Sequence, residues 1–235
     1  MKKLFLTLLL LPSAVFAAGG GSYFPADPAN IDLKNPVSLQ RGVGLYMNYC
    51  FGCHSMEYQR YERVANDLHI PLDIAKENFL PPSAKIGDLM TISMDSKDAA
   101  TWFGAQPPDL TLVARVRGED WLYNYLRAFY IDEKRPYGVN NTVFKDVGMP
   151  HVLAPLQGLQ ELTDDESDPL KLAVKGQLSP KEYDEAIRDL VNFLAYSGEP
   201  IRVKRESLGL KVLLFILGFF ALAYFLKKEY WKDVH

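Results

Sequence analysis

The chain is poor in cysteine. Its 235 residues contain two, Cys50 and Cys53, and no second cysteine pair stands at a similar spacing. A structural zinc site usually needs four ligands, so this scarcity argues against zinc. A disulfide between the two cysteines would close too small a loop to add much stability. The pair therefore calls for another explanation.

Long apolar runs are absent from the middle of the chain and occur near its two ends. The first, Leu4 to Leu11, follows Lys2 and Lys3 and precedes the small-residue site Val15-Phe16-Ala17. This order is typical of a secretory signal, and the run is too short to span a bilayer of about 30 Å. We predict that residues 1–17 are a signal peptide cleaved after Ala17.

The second apolar run, Leu208 to Leu226, is long enough to cross a membrane, because 19 helical residues rise roughly 28 Å. Lys211 can extend toward the headgroups. The run is followed by lysines and interfacial aromatic residues, namely Lys227, Lys228, Tyr230, Trp231 and Lys232. We predict an exported body at 18–206, an anchor helix at 207–227 and a cytoplasmic tail at 228–235. A buried core helix is the alternative.

A strong net charge is also missing. The formal charge of −3 becomes −5 once Lys2 and Lys3 leave with the signal. A mildly acidic body discourages nucleic-acid binding and suits a basic protein partner, although such a balance is common in soluble proteins. We therefore expect membrane lipid and other proteins as partners, and no nucleic acid.

The two cysteines belong to Cys50-Phe51-Gly52-Cys53-His54, a C-x-x-C-H motif. This motif is the sequence form of covalent haem attachment, in which two thiols bond the porphyrin and the histidine reaches the iron. A thioredoxin-like pair would open a helix after a strand, whereas Leu39 to Tyr49 predicts a helix that runs into the motif. We predict one covalently attached haem c and, since the chain is exported, a bacterial periplasmic location.

The remaining pattern predicts a mainly α body with long loops. Ser38 is a plausible N-cap for the helix that delivers Cys50, and Ser179-Pro180-Lys181-Glu182 forms a capping box for the last helix of the body. A third helix is predicted over Glu119 to Tyr130. Gly42 and Gly44 would weaken the first helix unless another helix approaches there, so we expect the first and last helices to cross at both glycines.

The residue on the other face of the iron decides the chemistry, because an open face could bind gases or peroxide. The candidates are Met47, Met56, His69, Met90, Met94, Met149 and His151. Met149 lies between Gly148 and Pro150, which hold an extended loop. On this basis it is preferred to His151 and Met94 as the second ligand of the iron. Most methionines only fill cores, so the choice stays open on this ground alone.

Two arginines are candidates for pairing with haem propionates. Arg115 and Arg117 follow Pro107-Pro108-Asp109-Leu110, a rigid turn. A guanidinium can bind a carboxylate through two hydrogen bonds. Solvated surface arginines are an equally good explanation. The acidic run Glu161 to Asp168 could attract a basic partner, although a solvated loop is its ordinary interpretation.

Several ordered motifs resemble the cytochrome c1 family. The haem-attachment region of that family is similar to Ser38 to Gly42 followed by Tyr49 to Ser55 and Tyr58 to Tyr61, and its second block is similar to Pro107 to Leu110 followed by Ala114 to Gly118. Gly148-Met149-Pro150 is similar to its axial-methionine block. The single C-terminal anchor lies in the usual place.

The resemblance implies a cytochrome c-like haem domain and a role in electron transfer. A cytochrome c1 belongs to a dimeric bc1 complex, quinol:cytochrome c oxidoreductase, with cytochrome b and a Rieske iron–sulfur protein, and reduces a cytochrome c. The isolated subunit transfers electrons and breaks no substrate bond, so catalysis belongs to the complex. The other possibilities are a different anchored cytochrome that feeds an oxidase, an open catalytic haem site, and a tethered thiol oxidoreductase.

The resemblance also implies roles for individual residues. Met149 becomes the expected sixth ligand, Arg117 the better propionate partner with Arg115 nearby, and Trp121 the nearest match to an aromatic residue that helps hold a propionate. The animal proteins usually have tyrosine at the position of Trp121. The chain lacks the extra cysteine pair of some bacterial relatives, so we expect the Met149 loop to be held by packing alone.

Overall fold

The structure is a computed structural model that describes residues 27–165 and 169–233. The signal-peptide prediction for residues 1–17 therefore lies outside the described residues, as does the start of the body. The fold is mainly α, as predicted, with a single long apolar helix at the C-terminus. The helices are α1 (Pro36–Leu45), α2 (Tyr61–Asp67), α3 (Leu72–Phe79), α4 (Ser96–Phe103), α5 (Val113–Arg117), α6 (Glu119–Arg127), α7 (Ala154–Gln157), α8 (Pro180–Gly198) and α9 (Arg202–Tyr230).

Three small antiparallel sheets of two strands each interrupt the helices in the described part of the chain. The strands are β1 (Met56–Arg60), β2 (Leu89–Met90), β3 (Phe129–Ile131), β4 (Val139–Asn141), β5 (Gly158–Leu162) and β6 (Leu170–Lys175), paired in chain order. The helical pattern of the sequence does not predict these strands. Strands β3 and β4 support the Met149 loop through Phe129, Val139 and the Asn140 side chain.

The first helix begins earlier than predicted. Asn35 is the N-cap of α1, and its side chain accepts a hydrogen bond from the Ser38 backbone N–H at 3.1 Å. The prediction of Ser38 as the N-cap was therefore wrong, because Asn35 and Pro36 together make the stronger start signal. After Leu45 the helix continues with π-helical geometry over Tyr46–Cys50, so it does run into the C-x-x-C-H motif.

Helices α1 and α8 pack at Gly42. A Cβ placed there would lie 2.1 Å from the backbone oxygen of Asp189 and 2.7 Å from the Phe193 Cβ. The predicted crossing is therefore confirmed at Gly42. At Gly44 the prediction was wrong, since a Cβ there would meet nothing within 4 Å. Only one of the two glycines faces α8, because residues two apart on a helix point in different directions.

A buried polar network reinforces this crossing. Asp189 is only 7% exposed and accepts hydrogen bonds from the Ser38 hydroxyl at 2.6 Å and from the Arg41 guanidinium. The Asn192 amide donates to the Ser38 hydroxyl at 2.9 Å and to the Asp32 carbonyl at 2.8 Å. Ser38 therefore joins the two helices through its side chain. Around the network lie fully buried apolar side chains, among them Val43, Tyr46, Leu190 and Phe193.

Of the two other helix predictions, the start of α8 is confirmed and the end of α6 is corrected. The capping box of α8 is confirmed, with the Ser179 and Glu182 side chains each bonding the other's backbone N–H. The third helix ends at Arg127 rather than Tyr130, because Phe129 pairs with Asn141 in the sheet of β3 and β4. A short strand thus replaces the expected last turn of that helix.

Helix α9 contains the predicted anchor and is longer than it. Its 29 residues have a mean hydropathy of 2.2 in their most apolar stretch, and no residue of that stretch is buried. By length and composition the helix could cross a membrane. Three residues separate it from α8, and Arg202 near its start donates to Glu119 on α6 at 2.7 Å. The body and the apolar helix are thus joined by a charged contact.

Candidate haem site

The cysteines lie on a tight turn at the end of the first helical segment. The backbone N–H groups of Cys53 and His54 both donate to the Cys50 carbonyl, at 3.1 and 2.9 Å. Both thiols are free. Burial, with a smaller contribution from Cys53, raises the pKa of the Cys50 thiol to about 12. Redox-active C-x-x-C pairs have lowered thiol pKa values, so this environment disfavours a thiol oxidoreductase.

The His54 side chain is oriented for metal binding. Its Nδ1 lies 2.7 Å from the carbonyl oxygen of Pro108, which can only accept, so Nδ1 carries the proton and Nε2 keeps a free lone pair. Burial lowers the pKa of the imidazole, opposed by the Pro108 hydrogen bond, which favours the neutral form that a metal binds. The Tyr46 hydroxyl fixes the His54 backbone by donating to its carbonyl at 2.7 Å.

The Pro107-Pro108 turn is held against the motif by hydrogen bonds from backbone N–H groups. The Leu110 N–H donates to the Ser55 carbonyl at 2.9 Å, and the Asp109 carboxylate accepts from the backbone N–H of Glu57 at 2.7 Å. The sequence predicts a rigid turn here but not its hydrogen bond to His54. The consecutive prolines indicate only that the turn is fixed, because Pro108 lies 54 positions from His54 and no local pattern places the two together.

Met149 is half-buried on a loop after β4. It packs against the small cluster of Phe129, Val139 and Val147, and its sulfur accepts a hydrogen bond from the Tyr125 hydroxyl at 3.4 Å. Sequence reasoning missed Tyr125 as a partner. The two residues are 24 positions apart, and a contact across two strands leaves no periodic signal.

The Met149 loop is held by more than packing, so that expectation was wrong. The Arg135 guanidinium donates to the carbonyl of Asp146 at 2.7 Å and lies 3.2 Å from the Asp146 carboxylate. The Asp146 N–H in turn donates to the Asn140 side chain at 2.9 Å. Asp146 adopts a positive φ of 61°, which Asp tolerates better than most residues. Hydrogen bonds and an ion pair thus hold the Met149 loop in addition to packing.

The other candidate ligands occupy different surroundings. Met56 and Met90 are fully buried partners across β1 and β2, which is a core-filling position. His69 lies in a turn with φ of 56°. The His151 ring stacks on Phe129 at 4.8 Å, and burial lowers its pKa to about 4. Met47 packs against the core, and Met94 lines a cavity of about 380 Å³ beside Cys53, Pro107 and Pro108.

The predicted propionate partners separate into two positions. The Arg117 guanidinium lies over the Trp121 ring at 5.0 Å and over the Phe144 ring at 5.8 Å. The Trp121 ring then stacks on Tyr125 at 4.8 Å with an interplanar angle of 9°. Arg115 instead lays its aliphatic stem against Gly198 of α8. Arg117, Trp121, Tyr125 and Met149 therefore form one continuous row, and Arg115 lies outside it.

The residues present fit a haem c. They provide two free thiols on one turn, an imidazole whose Nε2 is unblocked, and a thioether on a braced loop. Within residues 27–165 and 169–233, no group of three or more His, Cys, Asp or Glu side chains could hold a metal ion.

Comparison with known proteins gives a consistent result. The profile of the Cytochrome C1 family matches residues 33–234. A cytochrome c1 of Allochromatium vinosum is 53% identical over the full length of both chains. A protein of Nitrosomonas europaea named ammonia monooxygenase gamma subunit is 42% identical over 98% of each chain. A cytochrome c1 of Rhodospirillum rubrum is 26% identical over 83% of this chain and 81% of its own. The chain belongs to the Cytochrome C1 family.

Proposed function

We propose that the chain is the haem c electron-transfer subunit of a cytochrome bc1 complex, passing electrons from a Rieske iron–sulfur protein to a cytochrome c. Family membership over residues 33–234 supports the role. The observation that carries it at the site is the hydrogen bond from His54 Nδ1 to the Pro108 carbonyl, which leaves Nε2 available to an iron. The subunit transfers electrons, and bond chemistry on quinol belongs to the complex.

Cys50 and Cys53 would hold one haem c through thioether bonds, and His54 and Met149 would supply the protein ligands of its iron. When bound, the haem supplies a one-electron Fe(III)/Fe(II) couple, and His/Met ligation gives such a couple a raised potential. A raised potential suits an acceptor placed after a Rieske centre. The half-buried position of Met149 beside Tyr125 supports this ligand over the core-filling Met56 and Met90.

Arg117, Trp121 and Arg115 are proposed to hold the propionates. Arg117 has the stronger support, because it is exposed on α5 and its guanidinium is steadied by the Trp121 and Phe144 rings. Trp121 contributes by fixing that arginine and by its indole N–H. Arg115 carries its charge beside α8 and has weaker support for the role.

The body is proposed to lie in the bacterial periplasm, anchored in the inner membrane by α9 with its C-terminus in the cytoplasm. The apolar helix and the lysines after it support this topology, together with the predicted signal. Cytochrome b and the Rieske protein are the expected neighbours in a dimeric complex, and lipid surrounds the helix.

Purification from membranes tests the proposal. The chain should co-purify with cytochrome b and Rieske subunits, keep a covalent haem band after denaturing electrophoresis, and show a six-coordinate low-spin spectrum. Co-purification with an oxidase, or with other ammonia monooxygenase subunits, would assign it a different role. A five-coordinate spectrum would indicate an open catalytic site, and free thiols without a haem band a thiol oxidoreductase.

The acidic run supports a docking role for cytochrome c. Glu161 lies on β5 and Asp164 is exposed after the end of that strand, whereas Glu166 to Asp168 lie outside the described residues. We expect that neutralising Asp164, Asp165 and Glu166 lowers the association rate of a basic cytochrome c by roughly three- to tenfold at low salt, because an acidic patch attracts a partner of opposite charge. Stopped-flow mixing at two ionic strengths measures this.

A matched control neutralises three exposed acidic residues on other elements, namely Asp73, Glu77 and Asp98. This variant changes the net charge equally and should leave the association rate near that of the parent. Equal rates for the parent and the Asp164 variant would remove the docking role. Equal losses in both variants would attribute the effect to net charge alone.

A further inference from the structure

Tyr125 is fixed at three points. Its ring is stacked on Trp121 at 4.8 Å and meets Phe129 edge-on at 5.4 Å. Its backbone carbonyl accepts a hydrogen bond from the Asn141 amide at 2.8 Å. Its hydroxyl points at the Met149 sulfur, 3.4 Å away. A tyrosine held in this way places its hydroxyl with little rotational freedom.

The hydroxyl acts as a donor in this contact. A phenol keeps its proton at neutral pH, so the oxygen has a hydrogen to donate. A thioether sulfur can only accept, and it is a weak acceptor. A buried hydroxyl generally requires a partner, and the fold has placed a methionine there rather than a carbonyl.

A thioether sulfur has two lone pairs, so one can bind a metal while the other accepts a hydrogen bond. The O–H group selects which lone pair stays free and limits rotation about the terminal C–S bonds. The O–H group also withdraws electron density from the sulfur, and the positive end of the O–H dipole points toward the sulfur. Both effects disfavour the more positive, oxidised state of a metal bound there.

We propose that Tyr125 is a positioning residue that orients the Met149 sulfur as an axial ligand and raises the reduction potential of the centre. The inference rests on the proposed function, since it requires Met149 to bind the iron. It adds a determinant of the potential that neither the attachment motif nor the axial ligands contain. The backbone of the loop is set by Arg135 and Asn140, and its side chain by Tyr125.

The test is Tyr125→Phe in the full-length holoprotein, with Tyr123→Phe as the control. Tyr123 lies on the same helix and is more deeply buried, and its oxygen contacts Arg188 rather than Met149. We expect the equilibrium constant for reduction to fall about tenfold in Tyr125→Phe, which is ~59 mV for one electron, and to stay unchanged in Tyr123→Phe. The near-infrared sulfur-to-iron absorption of the oxidised protein should shift only in the former.

Each outcome has a separate meaning. Equal potentials in Tyr125→Phe and the parent, with Met149 shown by substitution to be the ligand, would overturn the proposal. If substituting Met149 leaves the spectrum unaltered, the proposed ligation fails instead. Should Tyr125→Phe yield no holoprotein, Tyr125→Leu removes the ring as well, and an undiminished potential in that variant would equally overturn the proposal. An equal fall in both Phe variants would indicate a general packing effect.

Discussion

Replacing Met149 by leucine is expected to abolish the six-coordinate low-spin spectrum and to lower the reduction potential sharply. Leucine has a similar volume and no lone pair, so the loop keeps its packing against Phe129 and Val147 while losing the sulfur. Axial ligands set haem potentials over a range of ~0.8 V, and we expect a loss on the order of a few tenths of a volt. Redox titration and the oxidised spectrum of the purified protein measure both effects.

Met94→Leu is the matched control, because Met94 was a competing candidate and lines the cavity beside Cys53. We expect its spectrum and potential to match the parent. A reversal, with Met94→Leu altered and Met149→Leu unchanged, would transfer the ligand role to Met94. No change in either variant would direct attention to His151, two residues from Met149.

The second large effect is expected at Gly42. An alanine there would place its Cβ 2.1 Å from the Asp189 carbonyl oxygen, a distance that forces α1 and α8 apart. Overpacking usually costs about 1–3 kcal/mol, and we expect about 3 kcal/mol or more because backbone on a long helix has to move. Denaturant unfolding of the holoprotein and the amount of covalent haem protein in membranes report the loss.

Gly44→Ala provides the comparison within the same helix. A Cβ at Gly44 meets nothing within 4 Å, and alanine is favoured over glycine in helices by about 1 kcal/mol. We therefore expect a small gain in the free energy of unfolding. Equal losses for the two variants would contradict this explanation, because they would show that something other than the contact with α8 requires glycine in this helix.

The parts of the fold that the sequence predicted correctly depend on local chemistry. The capping box at Ser179 and the close approach of α8 to α1 at Gly42 were each predicted from a few neighbouring residues, and the structure confirms both. Ser38 was misassigned because its role is tertiary: its hydroxyl binds Asp189, 151 positions away. The strand at Phe129 was read as helix because apolar spacing continues past Arg127, while the pairing with Asn141 that ends the helix is not local.

The candidate site shows the same difference between local features, which the sequence predicts, and long-range contacts, which it does not. The motif from Cys50 to His54 is contiguous, so its chemistry could be inferred directly. The orientation of His54 depends on the Pro108 carbonyl, 54 positions away, and the support of the Met149 loop depends on Arg135 and Tyr125. Sequence alone could identify the ligand types, whereas the groups that orient them become visible only when distant loops are brought together.

The short connection between α8 and α9 has a mechanical consequence. Only three residues separate the helices, and the junction is braced by Arg202 against Glu119 and by Arg205 against Glu199. If α9 lies in a bilayer, the short connection and these two ion pairs limit how far the body can move from the membrane surface. A redox centre held in this way would depend on the movement of its donor and its acceptor toward it.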